Sequence, residues 1–296
     1  MNLLGWLFVG FVVALVGTAV YWGSGKVTLG ATQLMQPKRT LPSKTPADFG
    51  LTAETVRFSA NGIDLVAWYI PPAAENGATL IYVHGFGGNR GGLLPQAAAM
   101  QQQGYGALLL DLRNHGESGD APTTWGYSEA NDVLAAYDYL LTRPEVDPAR
   151  VGLVGKSMGG AAVVRAASQL PNLALLVIES SYSSFEENLP NIVNTIARAP
   201  RFLATPILSR VGAETGVSFS EIDSVKTVAT LNLPILLIHG ERDRLVPVEQ
   251  GRAIFTAVNQ PKTLYIVPGA GHLNIFTIDP DTFTEQMGAF LAEYLR

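Results

Sequence analysis

Short apolar runs alternate with amphipathic segments along the chain from about residue 51 onward. Most of the runs are bounded by glycine, proline or asparagine, which is typical of buried strands, and the segments between them carry apolar residues at helical spacing. The strands predicted in this way are Thr55–Ser59, Ile63–Ile70, Ala78–Val83, Ala107–Leu110, Val151–Val154, Leu173–Ile178, Pro234–Ile238 and Thr263–Val267. The predicted helices are Leu93–Gln103, Ser128–Thr142, Ser157–Gln169, Val248–Val258 and Pro280–Leu295.

This alternation predicts an α/β fold with a mostly parallel central sheet that is covered by helices on both faces. Asn61-Gly62 separates the first two strands and is a strong signal for a hairpin, so the sheet should carry an antiparallel edge. Sheets of this kind bind ligands beyond the carboxyl ends of their strands. We therefore expect the functional residues to follow the strands directly.

Residues 181–222 interrupt the alternation inside the α/β domain predicted over 51–296. The segment is rich in apolar residues and is broken by Pro190, Pro200 and Pro206. An irregular segment of this length is usually functional or forms a small subdomain. It predicts a short helical cap with an apolar pocket beneath it, and the alternative is an ordinary long helical crossover.

The amino-terminal segment Leu3–Trp22 contains no charged residue. As a helix it would be ~30 Å long, which is the thickness of the hydrocarbon layer of a bilayer. It predicts a single-pass membrane anchor within residues 1–25, followed by a linker or loosely docked arm over 26–50. A cleaved signal peptide, with small residues at Gly17 and Ala19, and a buried core helix are the alternatives.

Lys26, Lys38 and Arg39 follow the predicted span, and no charged side chain precedes it. By the positive-inside rule this arrangement favours a cytoplasmic location for the domain over 51–296. The sequence leaves the side of the membrane open.

Composition narrows the classes of function. The chain is 47% hydrophobic and 15% charged, and 25 acidic against 20 basic residues give a net charge of −5, which argues against binding to nucleic acid. The lack of cysteine excludes a disulfide scaffold, a thiolate metal site and a cysteine nucleophile. No pattern indicates a metal or an organic cofactor, and the oligomeric state is not determined by the sequence.

The segment Gly155–Gly160 has the form G-x-S-x-G and lies between a predicted strand and a predicted helix. In that position the turn lifts the hydroxyl of Ser157 clear of the sheet and directs the amino terminus of the helix toward a developing anion. Ser157 is therefore the candidate nucleophile. The alternative is a tight glycine turn with an incidental serine.

A serine nucleophile needs a base, and the chain has four histidines. His272 follows the last predicted strand on a glycine-rich loop and completes the order nucleophile, acid, histidine. The remaining three also lie after strands, where a structural role is common, and these are His84, His115 and His239.

Asp243 follows the preceding strand and is the candidate acid that would orient the imidazole of His272. Glu241 and Asp223 are rivals for this role.

The glycine-rich turn His84–Asn89 follows the third strand and fits an oxyanion hole. Its candidate donors are the backbone N–H groups of Phe86 and Met158. Taken alone, the turn could also be an ordinary strand-to-helix connection, and His84 itself is expected to be structural.

The ordered motifs HGFGGN, DLRNHGES, GKSMGG, HGERDRLVP and GAGH resemble the α/β-hydrolase superfamily. More narrowly, residues 54–296 are similar to the serine hydrolases grouped with monoacylglycerol lipases and serine aminopeptidases, some of which carry an amino-terminal anchor. The resemblance implies Ser157, Asp243 and His272 as the triad, with Phe86 and Met158 as oxyanion donors. It also implies that Asp111–Ser118 shapes the floor of the site, and it assigns no role to Lys156.

We therefore expect a serine hydrolase that forms an acyl-enzyme and cleaves an ester or thioester of a small, apolar acyl substrate near a membrane. A carboxylesterase or lipase is the leading form of this function. A peptidase or amidase with the same triad is the main alternative, and a non-catalytic binding module is the alternative from another class. The intact set of serine, acid and histidine argues against the binding module.

Overall fold

The computed structural model of the chain describes Val12 and residues 23–73 and 77–295. Within this part of the chain, eight strands form one sheet in the order β1-β2-β4-β3-β5-β6-β7-β8. The strands are β1 Glu54–Ala60, β2 Ile63–Ile70, β3 Thr79–Val83, β4 Gly106–Asp111, β5 Val151–Lys156, β6 Leu175–Glu179, β7 Ile235–Gly240 and β8 Lys262–Val267.

The predicted antiparallel edge is confirmed. Strand β1 pairs antiparallel with β2 in a register that places Ala60 opposite Ile63, so Asn61 and Gly62 form the turn. Both turn residues have positive φ, at 51° and 80°, as such a two-residue hairpin requires. Strand β2 is also antiparallel to β4, and the remaining neighbours are parallel.

Helices cover both faces of the sheet. Alternation along β3 shows how the faces divide, since Ile81 and Val83 belong to one apolar cluster whereas Leu80 and Tyr82 belong to the other. Helices α3, α4 and α8 pack on the first face, and α2 and α10 pack on the second. The helices are α1 over residues 23–35, α2 Leu94–Gln101, α3 Glu129–Leu140, α4 Met158–Ala167, α5 Phe185–Thr195, α6 Ala204–Thr215, α7 Ser224–Val228, α8 Val248–Ala257, α9 Ile275–Ile278 and α10 Pro280–Tyr294.

The first described helix differs from the expected linker or loosely docked arm over 26–50. Helix α1 is docked, because Ala31, Leu34 and Met35 are buried in the same apolar cluster as the α3–α4 face of the sheet. These residues recur at a spacing of three and four and form one helix face. Gly30 lies against the side chain of Ile207 in α6, so α1 also contacts the cap.

The cap segment 181–222 contains two helices, α5 and α6, joined by a turn at Arg201–Leu203. Pro190 was expected to break a helix, and that expectation is wrong, because α5 continues through it. Proline inside a helix removes one backbone hydrogen bond, and a helix that is held by packing tolerates this loss. Leu189, Ile192 and Val193 provide that packing, since all three are buried.

The predicted anchor Leu3–Trp22 lies, apart from Val12, outside the described residues. Among the residues that the structure does describe, no helix has both the length and the apolar character needed to cross a membrane.

Candidate active site

Ser157 occupies a sharp turn between β5 and α4. Its backbone has φ 55° and ψ −120°, an unusual conformation for a residue with a side chain. Close packing imposes this turn, because a Cβ atom on Gly159 would collide with the carbonyl oxygens of Val83 and His84. The strand-to-helix turn predicted from the G-x-S-x-G pattern is therefore present, and it leaves Ser157 at the start of α4.

The three residues predicted as the triad lie in hydrogen-bonding contact. The imidazole Nε2 of His272 lies 3.0 Å from Oγ of Ser157, and its Nδ1 lies 2.7 Å from Oδ2 of Asp243. The other carboxylate oxygen of Asp243 accepts hydrogen bonds from the backbone N–H groups of Leu245 and Val246. With Nδ1–H donating to the carboxylate, Nε2 is left free to accept the hydroxyl proton.

The rival carboxylates lie elsewhere. Glu241 accepts a hydrogen bond from the backbone N–H of Gly269 on the surface, and Asp223 caps the first turn of α7 through the N–H of Lys226. Neither contacts His272, so the geometry favours Asp243 as the residue that orients the imidazole.

The predicted oxyanion donors border Ser157, the candidate nucleophile. Phe86 follows β3 on the loop beside Ser157, and Met158 is the first residue of α4. The described residues offer no hydrogen-bond acceptor to either backbone N–H. Both amides are therefore available to an anion that forms beside Ser157.

Two buried histidines hold the loop that carries Phe86. The Nδ1–H of His84 donates to the carbonyl of Gly85, and its Nε2 accepts from the N–H of Leu112. His115 accepts from the N–H of Gly87 through Nε2 while Nδ1 bonds to a backbone carbonyl. Each ring uses one donor and one acceptor nitrogen, so each must be neutral.

Burial reinforces this neutral state. It lowers the pKa of His84 to about 3, and the nearby His115 adds to the effect. Burial also lowers the pKa of His115 itself. Both rings therefore serve as fixed hydrogen-bonding groups, which is the structural role that the sequence analysis expected for histidines placed after strands.

The motif Asp111–Ser118 is hydrogen-bonded to the loop that follows β3. The buried carboxylate of Asp111 accepts from the backbone N–H groups of Arg90 and Glu117 and also pairs with the guanidinium of Arg90. Ser118 donates to the carbonyl of Asp111 and accepts from the N–H of Val66 in β2. These buried hydrogen bonds connect the loop after β3 with β2 and β4, and no residue of the motif is among the described residues that line the cavity.

A cavity of about 780 Å³ opens above Ser157 and His272. Its walls come from the loop after β3, the end of the cap helix α5 and the loops after β7 and β8. Apolar and aromatic side chains supply much of the wall, namely Phe86, Leu93, Trp125, Ile196, Leu245 and Leu273. A pocket of this character fits an apolar group bound against the nucleophile.

Trp125 is the largest of these side chains, and sequence reasoning missed it. Its ring stacks on Phe86 with the ring centres 4.5 Å apart. The backbone of Trp125 has φ 57°, and the buried carboxylate of Glu129 stabilises this conformation by accepting from the N–H groups of Thr124 and Gly126. The sequence around Trp125 gives no local signal that this side chain lines the cavity.

A buried ion pair lies next to the nucleophile. Nζ of Lys156 is 2.8 Å from Oε1 of Glu179, and Nε2 of Gln96 donates to the other carboxylate oxygen over 2.7 Å. Lys156 also lines the cavity, whereas Glu179 is only 1% exposed. The pair arises because β5 and β6 are parallel neighbours whose last residues are these two.

No group of three or more histidine and carboxylate side chains in the described part of the chain is arranged to hold a metal ion. The chemistry open to the arrangement is attack by Ser157, assisted by His272 and Asp243, on a carbonyl carbon whose oxygen faces the two free amides.

The match of a family model identifies the proteins to which this chain is related. The model of the prolyl oligopeptidase family matches residues 94–296, a range that contains Ser157, Asp243 and His272. The chain belongs to the prolyl oligopeptidase family. Membership confirms the α/β-hydrolase superfamily, and as a prolyl oligopeptidase family member the protein is a hydrolase.

Individual relatives of this prolyl oligopeptidase family member include both esterases and a peptidase by name. The uncharacterized protein YfhR of Escherichia coli O157:H7 is 26% identical over 252 residues, which cover 82% of each chain. The esterase Pf2001 of Pyrococcus furiosus is 25% identical with a TM-score of 0.73, over 88% of this chain and all of that one. The acylaminoacyl peptidase of Pyrococcus horikoshii, at 18% identity and a TM-score of 0.64, shares the fold over 82% of this chain and 41% of its own.

Proposed function

We propose that the protein is a serine esterase that cleaves apolar acyl esters through an acyl-enzyme on Ser157. The observation that carries the proposal is the hydrogen-bonded series from Ser157 through His272 to Asp243 at the base of an apolar cavity. Esters and thioesters are both within reach of this chemistry.

In the first half of the reaction, His272 accepts the proton of Ser157 as Oγ attacks the carbonyl carbon. The N–H groups of Phe86 and Met158 stabilise the negative oxygen, and Asp243 stabilises the imidazolium. His272 then returns the proton to the leaving alcohol as the carbon–oxygen bond breaks. Water, activated by the same imidazole, releases the acid and restores Ser157.

The lining of the cavity supports an ester substrate over a peptide with a free amino terminus. Binding of an ammonium group calls for a carboxylate close to the reacting bond, and no Asp or Glu side chain is among the described residues that line the cavity. Apolar walls instead suit an acyl chain.

A peptidase is the second candidate. The name of the matching family and the shared fold with an acylaminoacyl peptidase favour it. A blocked peptide has no free ammonium group, so the lack of a lining carboxylate does not count against such a substrate.

We also propose that Leu3–Trp22 anchors the catalytic domain to a membrane. The support is the uncharged length of that segment, which matches a bilayer span, and its position directly before α1. The protein should then remain in the membrane fraction after carbonate and high-salt washes. Release by either wash would contradict the anchor.

The test of the catalytic proposal is labelling by a fluorophosphonate probe together with hydrolysis of short p-nitrophenyl esters. Wild type should label once, and Ser157→Ala should neither label nor hydrolyse. Ser220→Ala, which alters an exposed serine of the cap, is the matched control and should behave as wild type. Stoichiometric labelling of Ser157→Ala would overturn the assignment, and wild type that never labels would favour a binding module.

A panel with one acyl chain and an ester, thioester or amide linkage then separates the candidates. The esterase proposal expects kcat/KM for the ester to exceed that for the amide by orders of magnitude. A blocked peptide cleaved faster than the matched ester would support the peptidase instead.

A further inference from the structure

Among the described residues, the charged side chains that line the cavity are all basic. Lys156, Arg242 and Arg244 line it, whereas no carboxylate does so among the described residues. Lys156 is paired with Glu179 and therefore contributes little net charge. The two arginines remain as the charges that a bound molecule would meet.

Arg242 and Arg244 flank the acid of the triad in sequence. The carboxylate of Asp243 points inward to His272 and to backbone N–H groups, so it does not pair with either guanidinium. Both arginines are exposed, and neither guanidinium forms an ion pair or hydrogen bond with another described residue. Two unpaired positive charges at one cavity contrast with the chain's net charge of −5.

The position of the two arginines indicates which part of a substrate they would contact. They lie on the loop after β7, and the N–H of Arg242 bonds to the carbonyl of Ala270 over 2.7 Å, which joins that loop to the one carrying His272. In acyl transfer the leaving group must lie at the histidine that protonates it. The arginines therefore lie on the side of the cavity where the leaving alcohol would be. Phe86 and Trp125 lie on the side of Ser157 and the two oxyanion amides.

We propose that the substrate is an acyl ester whose alcohol portion carries a phosphate group, bound by Arg242 and Arg244. This inference rests on the proposed esterase function and specifies its substrate class. Guanidinium groups bind phosphate oxygens with two parallel hydrogen bonds, and a dianionic phosphate neutralises two of them. An acyl chain fits the apolar wall at the same time.

The reaction leaves the phosphate untouched. The bond between the acyl carbon and the alcohol oxygen breaks, a bond from that carbon to Oγ of Ser157 forms, and His272 passes the serine proton to the alcohol. Water then splits the acyl-serine into a free carboxylic acid and the restored hydroxyl. The products are the acid and a phosphorylated alcohol.

The experiment compares two soluble, monomeric esters with the same chain, 1-hexanoylglycerol and 1-hexanoylglycerol 3-phosphate. Wild type should hydrolyse the phosphorylated ester with a kcat/KM about tenfold higher, the size expected of exposed charge-assisted hydrogen bonds. The double variant Arg242→Gln with Arg244→Gln should bring the ratio close to one. The same positions changed to lysine should retain part of the preference.

The control is Arg252→Gln, which alters an exposed arginine of α8 that does not line the cavity and should leave both rates as in wild type. The preference of wild type should also decline as salt rises, because exposed charges are screened. A ratio that is insensitive to salt would contradict binding by these two arginines.

Glycerol 3-phosphate and inorganic phosphate as inhibitors distinguish a phosphorylated alcohol from free phosphate. The proposal expects stronger inhibition by glycerol 3-phosphate, and equal inhibition by the two would overturn the substrate assignment. Equal hydrolysis of both esters by wild type would also overturn it, with the esterase function intact. Hydrolysis of neither ester, together with no fluorophosphonate labelling, would instead overturn the esterase proposal.

Discussion

The indole N–H of Trp125 donates a hydrogen bond to the carbonyl oxygen of Leu34 over 3.1 Å, and this bond joins the wall of the cavity to α1. The end of the helix also accepts from the backbone N–H of Thr123 and from the side chain of Asn114 through the carbonyl of Met35. The segment that follows the proposed anchor is thus part of the active-site structure.

Leu34→Ala should destabilise the protein by about 2–5 kcal/mol, the range for removing a fully buried leucine side chain. Leu29→Ala is the matched control, because Leu29 lies on the same helix and is 51% exposed. It should change the free energy of unfolding by no more than about 0.5 kcal/mol. Urea unfolding measures both, and equal effects would contradict the docking of α1.

Truncation tests the same helix in another way. A chain that begins at Gly23 keeps α1 and should be an active hydrolase. A chain that begins at Pro37 loses the buried residues of α1 and leaves the donors of Thr123 and Trp125 without acceptors, so it should unfold at lower temperature and lose activity. Equal thermal stability of the two chains would show that α1 contributes nothing.

Replacement of His272 and of His115 should distinguish the general base from a histidine that only holds the loop after β3 in place. His272→Ala should reduce kcat by about 10⁴-fold, as removal of a triad base does. His115→Ala removes the hydrogen bonds to the amide of Gly87 and to the carbonyl of Arg113 but no group of the triad, so we expect a loss of about tenfold in kcat from looser positioning of Phe86. Equal and complete loss in two variants that both keep the wild-type unfolding midpoint would contradict these roles.

The pair of Lys156 and Glu179 should show strong coupling in unfolding measurements. Lys156→Met leaves the buried carboxylate without its cation and should cost about 3–5 kcal/mol. Adding Glu179→Gln removes that charge and keeps a partner for Gln96, so the double variant should recover much of the loss. Additive effects of the two changes would show that the groups do not interact.

Stability should fall as pH is lowered from about 6.5 toward 3. Burial lowers the pKa of His84 to about 3, so between about pH 6.5 and 3 the unfolded chain binds a proton at this residue that the folded protein excludes. Burial also lowers the pKa of His115 and of His239, which act in the same direction. A histidine adds a slope of about 1.4 kcal/mol per pH unit wherever it is protonated in the unfolded chain and neutral in the folded protein, with stability rising as pH rises. Asp132 acts in the opposite sense between about pH 4 and 6, because burial raises its pKa to about 6.

Urea unfolding at pH 7, 6 and 5 measures this dependence, and His239→Gln should reduce its slope. A free energy of unfolding that is unchanged between pH 7 and 5 would contradict the neutral, buried state of the three histidines.

The elements, and the contacts that Ser157, Asp243 and His272 make with one another, could be predicted from the sequence because both depend on local patterns. Short apolar runs mark the strands, and loops at the carboxyl ends of neighbouring parallel strands must lie at the same edge of the sheet. Ser157, Asp243 and His272 each follow such a strand, so their meeting follows once the sheet is accepted. The rivals Glu241 and Asp223 could not be eliminated in this way, because the direction of a side chain depends on packing.

Long-range contacts account for what was not predicted. Val27, Ala31 and Leu34 recur at helical spacing, but the glycine, serine and threonine residues around them make the apolar face of α1 hard to recognise. The residues that this face contacts lie far along the chain. The pairing of Lys156 with Glu179 likewise required knowledge that β5 and β6 are neighbours. Trp125 carries no local signal for the cavity, since Glu129 and Leu34 determine its position.

The contacts of α1 have a consequence for the order of folding. Its hydrogen bonds to Asn114 and Trp125 span 79 and 91 residues, so the helix is synthesised long before the surface that holds it. A helix of ~13 residues is marginal in isolation, and an amino-terminal segment emerges from the ribosome first. We therefore expect α1, although it is synthesised before the rest of the domain, to be among the last elements to dock, and the cavity wall at Trp125 to be complete only after it has docked.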